Sequence, residues 1–167
     1  MQPIRIMLAA VISVLAGCSC DTGACDEARR AHGSDVNQGF AGVVAYQTDS
    51  CVNGCCACSF DSADFAIWHT DALITTESDA AEAASPKPDL TFSAMGRYSQ
   101  RLDIGTYLVC LLPVFGSGIQ CVPLDVSAGP GATVNVLKGN GGGTIDRVFN
   151  ADGTTNSQLF RLQQVGS

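Results

Sequence analysis

The residues best suited to chemistry in this chain are sulfurs. The segment Cys51-Val52-Asn53-Gly54-Cys55-Cys56-Ala57-Cys58 sets four thiols within eight positions, and Cys20, Cys25, Cys110 and Cys121 stand elsewhere. Soft thiolates at that density suit Zn²⁺ or Cu(I), with an imidazole from His32 or His69 completing the ligand set. The same residues also describe half-cystines that pair with one another or with Cys20 or Cys25. Cys55 and Cys56 are adjacent, so in that case each bonds to a different partner. Compartment decides between the two chemistries, because exported thiols oxidise unless a metal captures them first. Oxygen donors are sparser. Asp61 with Asp64, and Asn150 and Asp152 with Gly153, would suit Ca²⁺, but neither group has the spacing of an EF-hand loop, and solvated turns account for both. The chain has no G-x-S-x-G elbow and no H-E-x-x-H, and its two histidines leave little for a Ser-His-Asp arrangement. His69, beside Trp68 in a β-type run, reads as a half-buried strand histidine. Gly139-Asn140-Gly141-Gly142-Gly143 has no G-K-[ST] after it and reads as a turn, not a phosphate loop. On these grounds no catalytic residue, cofactor or bound metal is expected.

The first residues speak to the compartment. After Met1-Gln2-Pro3-Ile4-Arg5, an apolar run of eleven residues extends from Ile6 to Ala16. A helix that spans the hydrocarbon core needs about 20. The run therefore reads as the hydrophobic region of a signal peptide, closing in small residues suited to cleavage. Its ending, Leu15-Ala16-Gly17-Cys18, resembles the bacterial lipobox. That resemblance implies that residues 1–17 are removed and that Cys18 becomes the acylated first residue of a lipid-anchored envelope protein. With more than one acyl chain, at about 0.8 kcal/mol per buried CH₂, attachment would be effectively permanent. By the same resemblance, Ser19 in place of an Asp implies export to the outer membrane in a cell with two membranes. The cysteine count agrees, since nine is odd and a thioether at Cys18 leaves an even eight. Eight thiols in an exported domain predict a disulfide framework, of 105 possible connectivities. The alternative is a metal-binding envelope protein that uses Cys51–Cys58 with His32 or His69.

Spacing narrows one pair. Cys110 and Cys121 are separated by ten residues that include Pro113 and Gly116-Ser117-Gly118, enough to turn the chain back and predict a disulfide between neighbouring strands.

The remaining elements are β-type. Short runs at 42–46, 63–70, 72–76, 90–94, 106–112, 119–126, 133–137, 144–149 and 158–162 alternate with turn residues, the pattern of an all-β sandwich or barrel. Pro123 cannot donate to a ladder, so its strand is expected at an edge or a bulge. Glu77 to Asp89 and the glycine-rich stretch at 139–143 are expected to be loops. The predicted organisation is a signal peptide at 1–17, a lipid-anchored tether at 18–38 and one disulfide-stapled sandwich at 39–167. The chain's formal net charge of −7 becomes one unit more negative when Arg5 leaves with the leader. No run of Lys and Arg offers a nucleic-acid footprint, so nucleic acid is not an expected partner.

Leu102-Asp103-Ile104-Gly105-Thr106-Tyr107 resembles the L-x-x-G-x-Y step of transthyretin-like or carboxypeptidase regulatory-like β-sandwiches, where a turn at Gly precedes a central strand with a buried Tyr. The resemblance continues through Val122 to Val126, Gly129 and Val134 to Leu137, and covers roughly 96–149. It implies a prealbumin-like or Ig-like fold and a non-catalytic role, and it carries over no functional residue. At the front the cysteine cluster departs from that pattern. The expected function is a non-catalytic binding or structural domain at the cell envelope, contacting an unidentified partner through loops around Cys51–Cys58 and Glu77–Asp89.

Overall fold

Alternation of side chains along β1 (Gly39–Val52) separates the layers of the molecule. Phe40 and Val44 join the main core, whereas Val43 and Ala45 face a smaller cluster on the opposite side, as the two-residue period of a strand requires. The computed structural model describes residues 23–52, 55–113 and 118–163, without the side chains of 49–52 and 55. Over these residues the chain is an all-β sandwich of two sheets.

The first sheet has the order β2 (Cys55–Phe60), β1, β8 (Ala132–Gly139), β9 (Gly142–Phe149). β1 is longer than either partner on its outer side. Its first part pairs with β5 (Arg97–Arg101) and its second with β2. The second sheet has the order β10 (Phe160–Leu162), β7 (Ile119–Val126), β6 (Gly105–Leu111), β3 (Ser62–Thr70), β4 (Leu90–Met95). Inward residues of both sheets fill the core, including Phe40, Phe65, Val109, Val122, Leu124, Val134 and Val136. Phe65 and Phe92 stack with centroids 5.2 Å apart, and Phe40 meets Phe65, Phe92 and Tyr98 edge-on.

One edge of the sandwich is closed by two strands that change sheets. β2 passes into β3 at Asp61, and β4 passes into β5 at Gly96. The two corners are bonded to each other and to β1: Gly96 N donates to Asp61 O at 2.8 Å, Val44 N to Gly96 O at 2.8 Å, and Asp61 N to Val44 O at 3.0 Å. Gly96 has φ +58, a left-handed conformation that glycine adopts without steric cost. Lys138 ties the corner to β8, its Nζ lying 2.8 Å from Asp61 Oδ2 and donating to Ser62 O at 2.8 Å.

Each sheet is capped outside by a short helix. α1 (Gly23–Glu27) lies on the first sheet, with Ala24, Cys25 and Ala28 against Val43, Ala45 and Cys58. α2 (Glu77–Ala83) lies on the second, with Ala80 and Ala84 against Trp68, Leu108, Cys110 and Cys121.

Several expectations need correction. Residues 77–89 are not all loop, because Thr76 and Asp79 form a reciprocal capping box and two buried alanines dock the helix that it starts. Residues 72–76 form no strand; Ile74 is buried, but the segment has no ladder partner. β2 and β5 were not expected, and β1 extends well beyond 42–46. The tether expected at 18–38 is pinned onto the sandwich from Gly23 onward, through Ala24, Cys25 and Ala28. Pro123 lies where its missing N–H costs nothing, since β10 pairs only with Ile119, Gln120 and Cys121.

Candidate functional site

The sulfur cluster is built on the β1–β2 hairpin, whose register pairs Cys51 with Cys56 and Val52 with Cys55. Cys58 sits opposite Gln47 on the outward face. There it is joined to Cys25 of α1 in a disulfide that closes a separation of 33 residues. Cys56 is also disulfide-bonded. Two of the four sulfurs of the cluster are thus committed to disulfides. The side chains of Cys51 and Cys55 lie outside the described residues, as do Cys20, Cys18 and the whole expected signal peptide. The disulfide expected between Cys110 and Cys121 is present, joining directly opposed residues of β6 and β7. It lies on the outward face of the second sheet, beneath α2.

Among the described residues, neither histidine stands with the sulfurs as a free ligand. His32 is buried, and both ring nitrogens are occupied: Nε2 lies 2.9 Å from Glu27 O and Nδ1 3.1 Å from Asp35 Oδ2. Its backbone N–H donates to Thr133 Oγ1 at 2.7 Å, so the residue fastens the segment after α1 to β8. His69 is exposed, a departure from the half-buried position expected. It is the last residue but one of β3, opposite Tyr107 of β6, and its ring meets that phenol edge-on at 5.2 Å. Among the described residues, no three or more His, Cys, Asp and Glu side chains gather as a metal site requires.

The oxygen-rich candidates are occupied by the fold. Asp61 binds Lys138, and Asp64 accepts from Ser93. Asp152 Oδ1 accepts from the N–H and hydroxyl of Thr154, at 2.9 and 2.6 Å. The Thr154 hydroxyl and backbone bonds hold its carboxyl below the usual range. This is a turn in which a carboxylate caps its own loop. Tyr107 donates to Asp103 O at 3.0 Å. Burial, with the charges of Asp103 and Asp89, raises its phenol, which keeps it a neutral donor and no base.

A cleft of about 590 Å³ opens beside the free edge of β7, among Leu73, Ile74, Pro123, Asp125, Asn150 and Gln158. Its wall is the strap that leads from β9 back to β10, held by Asn156 Nδ2 donating to Pro123 O at 3.1 Å. The sequence signal for it is Pro123, which leaves that edge unpaired. Asp125 there accepts from Thr106 at 2.9 Å, and Ser127, Thr155 and Ser157 add hydroxyls to the amides of the lining.

The two loop regions expected to form one contact surface are set apart. β2 and β3 run head to tail through Asp61; Cys55 begins that ribbon and Thr70 ends it. The 77–89 segment belongs to the Thr70 end, where Asp89 Oδ2 accepts from His69 N at 2.7 Å. No protein-family model matches the chain, and neither curated proteins nor solved structures yield a similar one.

Proposed function

We propose that the protein is a lipid-anchored lipoprotein of the cell envelope, presenting a non-catalytic binding or structural β-sandwich. The observation that carries this reading is Leu15-Ala16-Gly17-Cys18 at the end of a short apolar run. By its resemblance to the lipobox, a thiol directly after small residues at that depth implies acylation followed by cleavage of the signal peptide. The disulfides Cys25–Cys58 and Cys110–Cys121 support it, because such bonds belong to chains that fold in an oxidising compartment. In this reading the anchor is the lipid on Cys18; among the described residues no helix is long and apolar enough to cross a membrane.

The non-catalytic part of the reading rests on how the polar side chains are used. His32, Asp61, Asp152 and Tyr107 each hold a turn, a corner or a strand start, and the cysteines described serve as staples. The test is fractionation of cells that express the unsubstituted chain or Cys18→Ser. The unsubstituted protein is expected in the membrane fraction and the variant in a soluble or unprocessed form. Recovery of the unsubstituted protein as a soluble species would refute the anchor.

A further inference from the structure

The outer face of the first sheet gathers cationic side chains that are scattered in sequence. β5 pairs Arg97 with Val43 and Arg101 with Gly39, which places both guanidinium groups on the face that Val43 shares with α1. Arg29 and Arg30 follow α1 on that face. Arg147 of β9 is opposite Asn135, whose amide donates to Arg30 O at 2.8 Å. These five are among the eight Lys and Arg residues after Cys18. Acids stand among them. Asp26 and Glu27 are tied to Arg29, Arg30 and Arg97 in ion pairs of 3.0 to 3.6 Å, Asp146 is 3.8 Å from Arg147, and Asp35 holds His32. Arg30 and Arg97 nonetheless remain 68% and 63% exposed. The opposite outer face is mainly acidic: α2 carries Glu77, Asp79 and Glu82 with no base in its last turn, Asp64 and Asp125 lie on the strands around it, and Lys87 is the base that follows the helix. A chain of net charge −7 therefore keeps much of its positive charge on one side.

That side is also where the anchor would emerge. Five Cα steps separate Cys18 from Gly23, a reach of at most about 18 Å, and Gly23 begins the helix that lies on this face. Beside Gly23 a cleft of about 430 Å³ is bounded by Glu27, Cys58, Phe60 and Arg97, with Phe60 52% exposed.

We propose that this face rests on anionic glycerophospholipid headgroups of the membrane that holds the lipid anchor, an inference that rests on the reading of Cys18 as acylated. Arg29, Arg30, Arg97, Arg101 and Arg147 meet lipid phosphates, and Phe60 enters the interface beside Gly23. The acidic α2 face is repelled by the same surface and turns away from it. A lipid tether fixes only proximity; the separated charges fix which side faces the bilayer.

The test uses the mature, lipid-bearing protein reconstituted on vesicles of phosphatidylcholine alone or with roughly 30% phosphatidylglycerol, a surface that favours each nearby basic residue by about fivefold. Arginine modification by phenylglyoxal is mapped by mass spectrometry. Arg29, Arg30 and Arg97 are expected to react about fivefold more slowly on the anionic vesicles, and high salt should remove the difference. Arg161, on β10 of the second sheet, should react equally on both. Equal rates for the three arginines on the two compositions, with the protein sedimenting on both, would overturn the proposal and leave the anchor intact. Failure to sediment with the neutral vesicles would refute the anchor, and the proposal with it.

Discussion

Lys138 shows how much of this fold hangs on single polar side chains. Its ammonium group bonds Asp61 and the carbonyl of Ser62, fixing the corner at which the chain changes sheets. At Asp61, burial raises the carboxyl pKa, but the bond from Lys138, the Ser62 N–H and the Lys138 charge outweigh it and hold the pKa below its ordinary 3.8. A folded-state pKa below the unfolded one contributes stability above the unfolded value, lost as pH falls through the folded value. Lys138→Met is expected to cost about 1 kcal/mol near neutral pH and to flatten the acid limb of stability below pH 4, read by denaturant titration across pH. Tyr98 acts within the core, donating to Val134 O at 2.5 Å. Tyr98→Phe leaves that buried carbonyl without its donor, at an expected cost of about 1–2 kcal/mol with unchanged secondary structure. Burial raises its phenol well above 10.0, so its contribution is complete below that value and is lost as pH rises further. Legibility in the sequence differs among such residues. The Cys110–Cys121 pair could be read because a short turning segment brings its ends together. The Cys25–Cys58 pair could not, because only the packing of α1 on the sheet joins residues 33 apart.

Among the elements, α2 is the one that local signals decide and periodicity misses. It has seven residues, too few for a stable isolated helix, so it forms by capping and docking. Thr76 accepts from Asp79 N, and Asp79 accepts in return from the N–H groups of Thr75 and Thr76. Trp68 Nε1 donates to Pro86 O at 2.7 Å, which fixes the return to β4. Thr76→Ala is expected to cost about 1 kcal/mol and to shift the emission of Trp68, the chain's single tryptophan, toward that of an exposed indole as the helix frays. An unchanged melting temperature and spectrum would show that the cap does not hold the helix. The strands reveal the same division. β3, β6, β7 and β8 bury both or most of their faces and stand out as apolar runs. β2 and β5 do not stand out in the sequence, and β2 reads first as sulfur chemistry. β5 carries two arginines and buries little beyond Tyr98 and Gln100 on its inward face, a pattern that resembles a loop until β1 is beside it.

Over the whole molecule, sequence reading reached the sandwich but not the distribution of its surface. Alternating runs state that a face is buried; they do not state which runs share a sheet, and so cannot bring Arg29, Arg97 and Arg147 to one side. Nor do they state that the 51–58 hairpin and the 77–89 segment attach to opposite ends of one ribbon, β2 with β3. The staples act at this scale. Replacing Cys25 and Cys58 together by Ser is expected to cost about 3 kcal/mol in denaturant unfolding and to release α1 from the sheet, seen as faster amide exchange in 24–28 and not in β6. The central claim, that Cys18 is the lipid-bearing first residue of the mature protein, meets its most direct test in the mass of the N-terminal peptide from protein extracted from membranes. The expected result is a chain that begins at Cys18 and carries a diacylglyceryl thioether. A chain that retains Met1, begins elsewhere, or carries Cys18 as an unmodified or disulfide-bonded thiol would contradict it.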